Sequence, residues 1–66
     1  MTIVLKRLAD ISDPMVFDTA MREKYPSMLG FCYQEDEHKL TLEFSETVDA
    51  EQVRLDTGSE EVLEVK

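Results

Sequence analysis

The sequence holds one cysteine, Cys32, and one histidine, His38, in 66 residues. A single cysteine rules out an intramolecular disulfide and fits a reducing compartment. Glycine is nearly as scarce. Gly30 and Gly58 stand far apart, so no glycine-rich loop exists to cradle a phosphate. Long apolar runs are missing too. The opening MTIVLKRLAD turns basic at Lys6 and Arg7, too soon for the apolar region of a signal peptide and far too soon for a bilayer span. The chain therefore reads as cytoplasmic, with no membrane partner. Bases are outnumbered, with seven Lys and Arg against fifteen Asp and Glu and a net charge of −8. Direct nucleic-acid binding depends on clustered cations and is disfavoured by that balance.

What is present points to one small folded domain over residues 1–66, without repeats, linkers or low-complexity runs. A hydrophobic fraction of 42% is that of a globular chain. A core of this size supplies roughly 3–5 kcal/mol at most, so a metal or a partner commonly supports such a domain. A second copy of the chain is one candidate for that support.

The charge is unevenly placed. Residues 1–34 hold four acids and four bases, whereas residues 35–66 hold eleven acids and three bases and carry the whole −8. Such a half attracts basic surfaces.

Local patterns predict the elements. TIVLKRL, residues 2–8, is β-branched and apolar at its start and reads as a strand. Asp13 followed by Pro14 is a helix start, since Asp caps free amides and Pro has no amide to leave unpaired. Val16, Phe17, Ala20, Met21 and Tyr25 form one stripe at the helical period, and Pro26 ends the helix near Tyr25. Residues 28–33 and 40–44 alternate with period two. Pairing Tyr33 with Leu40, Phe31 with Leu42 and Leu29 with Phe44 puts six large side chains on one face, with a polar loop over 34–39.

Two readings compete for the last third. Asp49 and Gln52 have capping-box spacing, Val48 and Val53 form a staple, and Gly58 is a stop, which gives a helix over 49–56. Alternatively, residues 53–55 pair with 62–65 across the DTGSE turn. The helical reading yields an α+β domain with a small antiparallel sheet and both helices on one face, in the βαββαβ ferredoxin-like order. The other yields a meander with a single helix.

The stretch CYQEDEHKL, residues 32–40, invites a metal-site reading because Cys32 and His38 flank three carboxylates. Zinc needs about four N or S ligands and an EF-hand needs a glycine at its sharp turn, and neither requirement is met. Residues 35–38 fit a solvated hairpin tip better. Acidic neighbours disfavour a thiolate and so discourage Cys32 as a nucleophile. We therefore expect no enzyme, metal or cofactor. Met15 and Met28 suggest an adaptable contact patch.

The segment FDTAMREKYPS, residues 17–27, resembles the helix and Lys-Tyr-Pro ending of small tail-region proteins of double-stranded DNA bacteriophages and prophages. The resemblance covers eleven residues, implies a viral origin, and transfers no functional residue; the aromatic-rich continuation of those proteins is absent.

Together these features lead us to expect a small acidic module that engages a basic protein partner, in the manner of a nucleic-acid mimic. Glu43, Glu46, Asp49, Glu51, Glu60 and Glu64 are the candidate contact residues. The alternative is an assembly protein that forms a homodimer through a sheet edge. The strand at 61–65 is the expected edge, although Glu60, Glu61 and Glu64 oppose such pairing.

Overall fold

The computed structural model describes residues 1–66 as β1 (Thr2–Lys6), α1 (Pro14–Lys24), β2 (Met28–Gln34), β3 (Lys39–Phe44), α2 (Ala50–Thr57) and β4 (Glu61–Val65). The strands form one antiparallel sheet in the order β2-β3-β1-β4. This is the expected βαββαβ arrangement, and the helical reading of the last third is the observed one. No helix is long and apolar enough to cross a membrane.

One face of the sheet carries the core. Ile3 and Leu5 of β1 alternate inward with Leu40, Leu42 and Phe44 of β3, and the helices add Met21 and Val53. Phe17 lies edge-on to Phe31 at 4.9 Å between ring centroids, and Tyr25 lies edge-on to Phe44 at 5.7 Å. Such T-shaped pairs align the positive ring edge with the negative ring face.

Both helices start and stop where their side chains dictate. The Asp13 carboxylate accepts hydrogen bonds from the amides of Met15 and Val16 at 3.1 and 3.2 Å. Asp49 does the same for Glu51 and Gln52 at 3.0 and 3.4 Å. The capping box is only half made, because the Gln52 amide turns away and donates to Asp56 at 3.2 Å. Gly58 closes α2 at φ +67°, a left-handed geometry that suits a residue without Cβ.

Three expectations change. Phe31 pairs with Leu42 and Tyr33 with Leu40 as expected, but a β-bulge at Leu29 brings Met28, not Leu29, opposite Phe44. The inserted residue reverses the alternation, so Leu29 is 61% exposed and Met28 is buried. Met28 is therefore core and cannot share a contact patch with Met15. The apolar stripe of α1 is also narrower than expected. Val16 is 63% exposed and Ala20 is exposed, because the helix turns only the row Phe17, Met21 and its cap residue Tyr25 to the sheet, with Met21 buried and the two aromatics half-buried. Finally, Gln34 and Lys39 pair in the ladder, so the loop is 35–38.

Phe44→Ala should cost on the order of 3–5 kcal/mol, the range for truncating a buried aromatic. Val16→Ala should stay within about 0.5 kcal/mol. Urea denaturation checks both values, and a Val16→Ala cost of about 1 kcal/mol or more would mean that the wider stripe over Val16 and Ala20 is buried.

Candidate functional site

The sheet order sorts the charge. Helix α1 packs toward the β2 side and α2 toward the β4 side. The α2/β4 flank, residues 45–66, holds seven carboxylates and two bases. Strand β2 on the opposite edge holds no charged residue. None of the fifteen acidic residues is buried.

The six candidate residues divide by what the fold asks of them. Asp49 caps α2. Glu51 receives the Arg54 guanidinium, with Nη2 at 2.5 Å and Nε at 3.0 Å from Oε1. Those hydrogen bonds hold its carboxyl below the ordinary range. Glu60 accepts the amide of Leu8 at 2.8 Å and so fixes the chain leaving β1. Glu64 lies 3.7 Å from the ammonium of Lys66, and both are exposed. Glu43 and Glu46 are exposed and accept no hydrogen bond from the protein. Three of the six thus hold the structure together, and Glu43, Glu46 and Glu64 are the ones left to an incoming cation.

Nor do all six share one surface. Register places Glu43 and Glu64 on the open face of the sheet, where they flank Thr2 and Val4 of β1. Asp49 and Glu51 belong to α2 on the covered face, and Glu46 lies in the loop before it. The open face also carries a row of Gln34, Lys39, Lys6 and Glu61, whose two ammonium groups offset part of the acidity at that end. The structure therefore gathers five of the six candidates on the α2/β4 flank, around an edge, and leaves Glu43 on β3.

Cys32 is exposed on the open face. His38 sits in the hairpin turn at φ +54°, and its carbonyl accepts the amide of Arg7 at 2.9 Å. His is among the residues that tolerate this left-handed geometry. No three His, Cys, Asp or Glu side chains are grouped to hold a metal ion. The turn explains why a polar residue of this type stands at position 38.

One carboxylate outside the candidate set is the most engaged. The Tyr25 hydroxyl donates to Asp56 Oδ2 at 2.5 Å, Gln52 donates to Oδ1 at 3.2 Å, and the Lys24 ammonium lies at 3.5 Å. This ties the end of α1 to α2. The Tyr25 hydrogen bond, above all, holds the Asp56 carboxyl below its usual range, while burial and then Asp56 push the Tyr25 phenol up. Position 56 follows Gln52 by four residues, the one local hint that it belongs to a network.

Comparison with known proteins adds no relative, since no family model, curated protein or solved structure matches the chain.

Two predictions follow from this geometry. His38→Val should cost about 1–2 kcal/mol relative to His38→Gly, because a β-branched residue resists left-handed backbone; thermal melts of the two variants in metal-free buffer read the difference. Asp56 supplies the second. A carboxyl held low in the folded state stabilises it above the unfolded pKa of about 3.9, and that contribution disappears as pH falls through the lower folded value. Tyr25→Phe should therefore lower the melting temperature at about pH 7, and its deficit should shrink by about pH 2. An equal deficit at both pH values would mean that the phenol acts through packing alone.

Proposed function

We propose that this is a small non-enzymatic, phage-encoded accessory protein of the host cytoplasm, whose acidic flank engages the basic surface of a protein partner. The support for this reading is the segregation of charge by the fold. Seven carboxylates and two bases lie on the α2/β4 flank, and the carboxylates with no other duty are exposed. Carboxylates at the surface of a helix and an adjoining strand edge offer a cationic groove the same ligand chemistry as phosphates do. They also raise the association rate through their field. The partner is then a protein that normally binds nucleic acid.

The test uses immobilised basic double-stranded-DNA-binding proteins. Retention of the chain is expected at about 0.05 M sodium chloride and its loss at about 0.5 M, because screening shortens the reach of exposed charges to a few ångströms. Duplex DNA should displace it. The triple variant Glu43→Lys, Glu46→Lys, Glu64→Lys leaves the cap, the Arg54 pair and the Leu8 contact intact, so it should fold and fail to bind. Reversing Asp10 and Glu23 should leave retention unchanged. Retention that ignored salt and survived the triple reversal would remove the acidic-flank reading.

A further inference from the structure

The two edges of the sheet are not equivalent. The β4 edge carries Glu61 and Glu64 and is bulged at Leu63, the devices by which natural edges discourage pairing. The β2 edge is guarded only at its start. There Leu29 is bulged, and the Arg22 guanidinium donates to the carbonyls of Met28 and Leu29 at 3.0 and 3.3 Å. Beyond Leu29 the edge is bare. No hydrogen bond outside the β2–β3 ladder involves the backbone of Gly30, Phe31, Cys32 or Tyr33. Every second residue of an edge strand turns its amide and carbonyl outward, so this stretch presents unpaired groups. It also lies in residues 24–34, the longest run of the chain without a carboxylate.

We propose that the β2 edge pairs with the β2 edge of a second copy of this chain, antiparallel about a twofold axis at Cys32. Three observations select that occupant and that register. First, two chains of net charge −8 repel least where acid is sparsest: the β2 strand carries none, Asp18 in the groove beside Gly30 and Phe31 is paired with Arg22, and the α2/β4 flank points away. The product is an eight-stranded sheet with the two α2/β4 flanks at its far ends. Second, the His38 carbonyl and the Phe44 amide turn toward β1, so by alternation Lys39 and Thr41 bond to Gln34 and Cys32 of β2, and the outward-facing groups are those of Phe31 and Tyr33, centred on Cys32. Third, the strand complements itself in that register. Phe31 faces Tyr33 of the second copy on the helix-covered side, an aromatic cross-strand pair. Gly30 faces Gln34 of the second copy on the open side. Nothing lies within 4 Å of where a Cβ on Gly30 would be, and the hollow it leaves is lined by Leu29, Phe31, Thr41 and Glu43. A Gln34 amide entering that hollow is a donor for the one carboxylate in it. Apart from Glu43, which lies on β3 and not on the flank, this inference shares no residue with the acidic-flank reading, and it moves the expected self-association from β4 to β2.

Sedimentation equilibrium of the reduced full chain tests it. The parent should show twice the 7.6 kDa chain mass. Cys32→Lys adds a charge at an exposed position and should lose the dimer while keeping the parent's circular dichroism. Leu63→Lys, on the β4 edge, should keep it. A short bis-maleimide should join Cys32 to Cys32 in the parent, which reads the register without relying on any variant. A monomeric parent would overturn the proposal. So would a dimer that survives Cys32→Lys, one that Leu63→Lys abolishes, or one that the cross-linker does not join.

Discussion

Thr2 and Lys66 exchange two backbone hydrogen bonds of 2.9 and 2.8 Å, and the architecture rests on that closure. It places β1, made from the first six residues, between β3 and β4 in the middle of the sheet. Both neighbours of β1 come from the second half of the chain, so the core cannot assemble until distant segments meet. Ile3 and Leu5 then lose all contact with water against Leu40 and Leu42. The amino terminus is tied to the same point, because the Met1 ammonium donates to the Phe44 carbonyl at 2.9 Å. A topology dominated by such non-local pairs folds more slowly than a helical bundle of equal size, since loop-closure entropy is lost before contacts repay it.

What could be read in the sequence was what short-range chemistry determines. Helix α1 is bounded by Asp13 and Pro14 at one end and Pro26 at the other, and each acts on the backbone within a turn. The register of Phe31 and Tyr33 follows from strict alternation. Alternation misleads at Met28-Leu29: it carries the inward face of Phe31 and Tyr33 on to Leu29, whereas the bulge turns Leu29 out and Met28 in. The bulge there is associated with contacts from elsewhere: Arg22 holds the Met28 and Leu29 carbonyls, and Ser45 donates its amide to Ser27 at 2.8 Å. Val16 was misplaced because periodicity gives the direction of a buried stripe but not its width. The Tyr25–Asp56 tie joins residues 31 apart, beyond the range of any capping or i,i+4 rule.

The candidate site was legible as charge and illegible as geometry. Counting residues locates the acid excess in the second half, but only the sheet order says that β4 and α2 form one side of the molecule while β3 lies inside the sheet. That is why Glu43 stands apart from the other five candidates. The roles of Asp49, Glu51 and Glu60 were equally hidden in part. The Asp49 cap is a local signal, whereas the Glu60 bond to Leu8 spans 52 residues.

The distribution of duties among the carboxylates bears on what the protein is for. Acidic residues at a helix start are favoured by the helix dipole, and Asp49 and Glu51 occupy such positions on α2. Asp13 caps α1, Asp18 pairs with Arg22 at 2.9 Å, and Asp56 joins the helices. These carboxylates belong to the fold and would be expected in any domain built this way. Glu43 and Glu46 stabilise nothing, and Glu64 has only an exposed lysine beside it. Repulsion among them and their neighbours slightly destabilises the compact state, more so at low salt. Substituting them with neutral polar residues would relieve that repulsion without disturbing a single structural hydrogen bond. Solubility accounts for some of this surplus charge, yet it needs only an interspersed surface, not one flank dense in acid opposite an edge strand with none. Under the two proposals, segregation of that kind keeps the contacts apart: a neutral edge for a second copy of the chain, and an acidic flank clear of that contact for a cationic partner.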